Sequence, residues 1–459
     1  GRVNCCNKVL DYINYFSNDR VSDIKIKIML NKKNIFFEKK ILIYGLGKSG
    51  ISVYRFLKEK NKLFLYDDKK VKIRKKILNY NKLKKINFDY IIISPGINIE
   101  KCKLSNFLKK NLNKVHTDLD IFYSTYNQNK IITITGTNGK STTVKILYDV
   151  LKQQKMDVRL AGNIGNPILS EKNIKKKTIF VIEASSYQLE YSKFFKSNIS
   201  AILNISPDHL ERHKTLNKYV KAKFKLIKNQ TKKDYAILNT NNYYIKKYLN
   251  SQKFLPKIIR INRHIKQSIL KKINNVYFMT KGNKENLSFI FEIAKIFKIK
   301  KGDLIKVLKK FTGLKYRQQI IFKSKYITII NDSKATSFSS SVSILESISN
   351  VSWIVGGLAK KGDRFLLSRK QCTSFKAYIF GKNRNPFLNE LRNVMKCESF
   401  TYLKPLIEKI FIDIEINKNK KHQTILFSPA AASFDSFQNF EKRGEYFNNI
   451  INKIGHAKR

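Results

Sequence analysis

Apolar positions along this chain come in short continuous runs rather than in strict alternation. Residues 41–44, 63–66 and 90–93 are built of Ile, Leu, Phe and Tyr, the pattern of a strand buried on both faces of a parallel sheet. After the first run, glycines release the chain into a segment with Val53, Phe56 and Leu57 at helical spacing. The second run ends in Asp67 and Asp68, the third in Ser94, Pro95 and Gly96. Strand, glycine turn, helix, strand and acid in this order predict a doubly wound unit.

The alternation repeats twice more. A polar stretch at 124–130 reads as a linker, and the next strand, 131–135, runs into Gly136-Thr137-Asn138-Gly139-Lys140-Ser141-Thr142, with a helix over 144–151. Strands follow at 178–182, 200–204 and 235–238, and this part closes near 311–314. A third set is expected near 326–330, 352–355, 377–380 and 423–427. The chain is therefore expected to be α/β with three domains. These are a Rossmann-like N-terminal domain over 29–126, a P-loop-type central domain over 127–314 and a Rossmann-like C-terminal domain over 315–459. Residues 1–28 read as an extension of unknown role, and 239–275 as a variable edge or loop region.

Composition changes this picture little. Of the 459 residues 42% are apolar, enough to build several cores, so disorder of the whole chain is excluded. The formal charge of +59 taken alone suggests a polyanion partner, but the lysines are scattered through nearly every segment, and no specific nucleic-acid partner is expected. Five cysteines, an odd number without a C-x-x-C pair, argue for a reducing compartment. No apolar run is long enough to span a membrane and the first residues lack a secretory pattern, so a cytoplasmic location is expected.

The sharpest chemical signal is the loop at 136–142. Backbone N–H groups at such a turn and helix start can cradle phosphates, Lys140 adds a point charge, and Ser141 or Thr142 can offer a hydroxyl to Mg²⁺. The usual P-loop spacing wants a glycine where Ile134 stands, so this is a shortened variant. Glu183 ends a strand and is either an oxygen ligand for a nucleotide-bound Mg²⁺ or a capping acid for the next helix. His209 suits a donor or ligand near a hard cation, whereas His213 reads as a solvent-exposed cap. The run from Gly45 to Gly50 with Asp67 meets G-x-G-x-x-G, which licenses diphosphate binding more securely than a nicotinamide cofactor. In the third domain 331–336 and 428–435 are either capture loops for a small anionic or zwitterionic substrate or well-capped helix starts.

As a set these motifs, together with Gly162-Asn163-Ile164-Gly165, 183–189 and 204–210, resemble those of the Mur ligase family, from Lys40 to Phe447. Residues 331–337 and 428–440 are similar to the stretches of the D-glutamate-adding branch, and argue against a folylpolyglutamate-type ligase. The resemblance implies an ATP-dependent ligase using Mg²⁺ that joins D-glutamate to UDP-N-acetylmuramoyl-L-alanine through an acyl phosphate, as a monomer. It implies that Gly136, Thr137, Asn138, Gly139, Lys140, Ser141, Thr142, Asn286, Arg317 and Asp332 hold ATP, with Lys140, Glu183, His209, Lys223 and Lys334 at the reacting groups. Ser141, Glu183, His209 and Lys223, the last as a carbamate, match the Mg²⁺ site. Lys48, Ser49, Asp67, Ser94, Pro95, Gly96 and Asn163 match the uridine diphosphate substrate's positions, and Thr336, Lys360, Ser433, Phe434 and Phe440 those of the amino acid. Two positions depart from the family pattern. Tyr316 replaces a histidine before Arg317, and the adenine-side segment is reduced to Gly282-Asn283-Lys284-Glu285-Asn286, without its histidine.

Overall fold

The computed structural model describes residues 34–69, 78–208, 210–416 and 421–457. The chain forms two compact units, residues 1–262 and 263–459.

The first unit carries two sheets. Strands β1 (Lys40–Tyr44), β2 (Lys62–Tyr66), β3 (Tyr90–Ile93) and β4 (Val115–His116) form a parallel sheet in the order β2-β1-β3-β4. Strands β5 (Lys130–Thr135), β6 (Val158–Gly162), β7 (Ile179–Glu183), β8 (Ile199–Ile202), β9 (Tyr235–Asn239) and β10 (Lys257–Ile261) form a second, in the order β10-β9-β8-β5-β7-β6. All its pairings are parallel. In each sheet β1 or β5, the strand that leads into a glycine loop, lies inside the order, and the loops gather at the C-terminal strand ends. Helix α1 (Lys48–Leu57) follows β1, α2 (Asp118–Tyr126) follows β4, α3 (Lys140–Gln153) follows β5, and α4 (Ser186–Glu190) and α5 (Leu216–Lys228) lie further on.

The stretch at 124–130 is not a loose linker. Ser124 to Tyr126 complete α2, and buried Asn129 donates to the carbonyls of Lys175 and Thr178. Leu119, Ile121 and Phe122 of α2 join Ile41, Ile43, Phe180 and Ile182 in one core, so both sheets of this unit share apolar packing. Strand β10 falls in the region read as variable and is an edge strand whose middle residues are half-buried or exposed, which is why its apolar signal is diluted.

The second unit opens with helices, among them α6 (Lys281–Ile296), and then forms a sheet of β11 (Gln319–Lys323), β12 (Ile327–Asn331), β13 (Val351–Gly356), β14 (Phe375–Phe380), β15 (Lys396–Phe400) and β16 (Gln423–Phe427). Its order is β11-β12-β16-β13-β14-β15, and β11 alone runs antiparallel. Helix α7 (Phe338–Leu345) follows β12, and α8 (Phe440–Ala457) follows β16. Trp353 on β13 is fully buried and its indole N–H donates to the Ser428 carbonyl, fixing the start of the loop after β16.

Candidate active site

In the first sheet the sequence-predicted residues converge. Gly45 has φ +91°, and a Cβ there would lie 2.8 Å from that of Ser94. The Ser94 hydroxyl donates to the Gly45 carbonyl at 2.6 Å, and Asp67 accepts from the N–H groups of Leu46 at 2.6 Å and Lys69 at 2.9 Å. Asp67 thus shapes the loop through the backbone. Helix α1 begins at Lys48 with no side-chain capping bond and no acidic residue in its first turn, leaving an N-terminus that suits an anion. Pro95 is half-buried and Gly96 exposed beside it.

The second sheet builds a tighter site. Gly136 (φ +154°) and Gly139 (φ +82°) take conformations that a side chain resists, and the loop between them is pinned from β8. Asn204 accepts from the Asn138 N–H at 2.8 Å and donates to its carbonyl at 3.1 Å, while its own carbonyl accepts from the Thr137 N–H at 2.9 Å. Lys140 Nζ donates to the carbonyls of Gly136 and Thr137, both at 2.9 Å, so its charge lies over the loop. The Ser141 hydroxyl donates to Glu183 Oε2 at 2.6 Å, and the Asn163 amide donates to Oε1 at 2.8 Å. Glu183 is 1% exposed and lies at the end of β7, whereas the next helix is capped by Ser185 and Gln188, so the capping role does not fall to Glu183.

Lys223 projects from α5 and is fully buried, with Nζ donating to the Gly136 carbonyl at 2.9 Å. Burial pushes its pKa well down and the Lys140 charge adds to this, against the pull of Asp208 and Glu183. The Tyr219 ring lies 4.5 Å from Lys223 Nζ, and its hydroxyl meets the Thr137 hydroxyl at 3.1 Å. Nothing in the sequence distinguished Tyr219, and Asn204 entered only as part of a matched motif. His213 is not a solvent-exposed cap: it is buried, 3.0 Å from the Ser186 hydroxyl, because α4 and α5 close over it. His209 lies outside the described residues. The hard oxygens of Ser141 and Glu183 beside a phosphate loop fit Mg²⁺, which keeps few protein ligands and takes others from phosphate and water.

The second unit gathers most of the remaining residues. Asp332, just past β12, accepts from the Gln318 N–H and from the Ser428 hydroxyl, both at 3.0 Å. Burial pushes its pKa up to about 7, against those two hydrogen bonds and the charges of Arg317 and Arg443. Lys334 Nζ lies 4.4 Å and the Arg317 guanidinium 5.8 Å from the centre of the Phe440 ring. Arg443 of α8 is fully buried and donates to the carbonyls of Ser333 (2.7 Å) and Ala431 (2.9 Å), joining the loops after β12 and β16. The N–H of Leu358 donates to the Ala432 carbonyl, bringing the loop that bears Lys360 to the one that bears Ser433. Ser433 is buried, Thr336 is half-buried, and Phe434 is 74% exposed. Ser337 accepts from the Ser340 N–H and caps α7, so the loop after β12 is a capped helix start, as one of its two readings expected. Asn286 is buried within α6; three residues earlier the Asn283 amide reaches Gln318 Oε1 at 3.0 Å, a link sequence reasoning missed.

Tyr316, the departure from the family's histidine, has φ +62° and presses its ring on Gly444, where an added Cβ would lie 2.4 Å from Cδ1. Its carbonyl accepts from the Lys334 N–H at 3.0 Å. Gly444→Ala is therefore expected to push Tyr316 aside and destabilise this unit by about 1–3 kcal/mol. Urea unfolding checks it, and an unchanged midpoint would show that the ring has room to move.

A phosphate loop at a parallel strand end, with a carboxylate and a lysine buried against it, defines a nucleotide-binding α/β protein equipped for phosphoryl transfer. The Mur ligase middle domain model matches residues 134–305. The UDP-N-acetylmuramoylalanine–D-glutamate ligase of Rickettsia bellii is 32% identical, over 91% of this chain and 98% of that protein. The ligase of the same name from Fusobacterium nucleatum is 34% identical, over 91% and 99%. The chain belongs to the Mur ligase family, in its UDP-N-acetylmuramoylalanine–D-glutamate ligase branch. Solved structures share the fold: UDP-N-acetylmuramate–alanine ligase MurC from Thermotoga maritima has a TM-score of 0.54 at 15% identity, over 92% of this chain and all of that one. MurF ligase from the same organism, in complex with ADP, has a TM-score of 0.54 at 14% identity, over 92% and 97%.

Proposed function

We propose that this protein is an ATP-dependent ligase that joins D-glutamate to UDP-N-acetylmuramoyl-L-alanine in peptidoglycan precursor synthesis. The observation that carries this reading is the convergence of Lys140, Ser141, Glu183 and Lys223 on one phosphate loop, in a chain that spans nearly the full length of relatives bearing that name.

The acceptor carboxylate attacks the γ-phosphorus of ATP, the bond to the ADP oxygen breaks, and an acyl phosphate forms. Lys140, held over the loop by two carbonyls, offsets charge on the phosphoryl oxygens as it builds. The D-glutamate amine then attacks the acyl carbon, loses a proton, and expels inorganic phosphate, leaving an amide. Mg²⁺ held by Ser141, Glu183, His209 and carbamylated Lys223 would supply further charge neutralisation at the phosphoryl group. Lys223 suits carbamylation because burial favours its neutral amine, the form that adds to carbon dioxide. Arg317, Asp332 and Lys334 serve the nucleotide and the reacting phosphoryl group, and Thr336, Lys360, Ser433, Phe434 and Phe440 the amino acid. Lys48, Ser49, Asp67, Ser94, Pro95, Gly96 and Asn163 serve the uridine diphosphate substrate. In this reading the chain works as three domains, 29–126, 127–314 and 315–459, in a cytoplasmic monomer. No helix among the described residues is long and apolar enough to cross a membrane.

Phosphate release with ATP, Mg²⁺ and UDP-N-acetylmuramoyl-L-alanine tests this, comparing D-glutamate with L-glutamate, D-aspartate and no amino acid. Release coupled to product with D-glutamate alone is expected; equal release with L-glutamate, or none with any amino acid from folded protein, would overturn it.

A further inference from the structure

Asp332 is the end of a chain of buried hydroxyl groups. Its Oδ2 accepts from the Ser428 hydroxyl at 3.0 Å, and Ser428 Oγ lies 2.7 Å from the Oγ of Ser341 on α7. All three side chains are buried. A hydroxyl has one hydrogen to give, and an ionised carboxylate only accepts. The Ser428 hydrogen therefore goes to Asp332, and Ser341 donates to Ser428. Both ends of the chain are anchored: the Ser428 carbonyl accepts from the buried Trp353 indole at 2.8 Å, and the Gln318 N–H donates to Asp332 Oδ1 at 3.0 Å. Each carboxylate oxygen thus receives a donor from the protein and keeps lone-pair capacity for another.

Three polar side chains buried together cost stability relative to an apolar core, but a satisfied set of them fixes orientation. We propose that Ser428 and Ser341 are positioning residues for the ligation reaction: as one chain they hold the Asp332 carboxylate in a single orientation, as an acceptor for the nucleotide. This rests on reading Asp332 as a residue that serves ATP. Protonation at Oδ2 would reverse the chain and remove an acceptor from the nucleotide. The contribution of Asp332 is therefore lost as pH falls through its folded pKa, which burial has pushed up to about 7. The charges acting on this carboxyl are those of Arg317, ahead of β11, and Arg443 of α8; both favour its ionised form, and neither is altered by a change at Ser428 or Ser341.

Phosphate release by the full-length protein with ATP, Mg²⁺, UDP-N-acetylmuramoyl-L-alanine and D-glutamate, measured across pH, tests it. Ser428→Ala is expected to lower kcat/KM for ATP about tenfold near neutral pH, the size of losing one hydrogen bond to a charged group, while KM for D-glutamate stays within about twofold. The deficit shrinks as pH rises, because the acid limb of the profile moves up by about one pH unit. Ser341→Ala leaves the bond from Ser428 to Asp332 in place and weakens it from behind. It is expected to lower kcat/KM for ATP about threefold and to move the limb up by about half a unit, and it decides alone if the other variant fails to fold. An acid limb that stays in place in either folded variant, or a KM for D-glutamate that rises as far as kcat/KM for ATP falls, would show that the hydroxyl groups only tie the loops together. Either result would overturn the proposal while leaving the reading of function intact. Absence of ATP-dependent release by the unaltered protein would instead overturn that reading, and the proposal with it.

Discussion

Lys140→Ala is expected to lower turnover by about 10²–10³, the usual loss when one preorganised charge or donor at a reacting group is removed, with little change in melting temperature. The side chain spans a half-buried loop, and its bonds to the carbonyls of Gly136 and Thr137 lie within that loop rather than in the core, so the fold is expected to tolerate the change. The chemistry loses twice. The ammonium that offsets phosphoryl charge disappears, and so does the second cause that holds the pKa of Lys223 down. Lys223 then keeps its proton more firmly, which opposes carbamylation. Single-turnover phosphate release, with ADP binding measured in parallel, checks this. A variant that turns over within tenfold of the unaltered protein would remove Lys140 from the mechanism.

The largest expected effect on stability falls outside the site. Asp120 of α2 is fully buried and accepts from the Ser192 hydroxyl at 2.8 Å and from the N–H groups of Lys193, Phe194 and Phe195. The His116 ring lies 2.8 Å away. Removing the carboxylate strands these donors in a core, so Asp120→Ala is expected to cost about 3–5 kcal/mol. In a unit of this size that lowers Tm by roughly 6–20 °C. Burial alone would raise the Asp120 carboxyl, but His116 and the surrounding N–H and hydroxyl donors win and hold it below the ordinary carboxylate range. Its contribution is therefore complete above the unfolded value of about 4 and is lost as pH falls through the lower folded value. Chemical unfolding between neutral pH and pH 3 should show a flatter acid limb in the alanine variant. Parallel acid limbs would mean that the carboxylate keeps its ordinary pKa.

Much of this was legible in the sequence where the physics is local. The runs at 41–44, 131–135 and 423–427 are strands because a strand covered on both faces must be apolar at consecutive positions. Gly136 and Gly139 announced a phosphate loop because the turn needs φ values that other residues resist, within a few positions of Lys140. Strand β4, the edge strands β6, β10 and β15, and antiparallel β11 were missed, being very short or half-covered. His213 was misread because its burial comes from neighbours on other elements.

By itself the sequence determined the α/β alternation, the three glycine- or serine-rich strand ends and the family, since each rests on residue types in contiguous stretches. Only the tertiary structure decided that Glu183 is shared by Ser141 and Asn163, that Lys223 is buried against a carbonyl 87 positions earlier, and that Arg443 ties the loop after β12 to the one after β16. The reason is that residue type sets what a side chain can donate, accept or ionise, whereas burial and the neighbours brought from distant strands set its proton affinity and its orientation. A lysine among so many becomes a candidate metal-site residue when the fold removes its water.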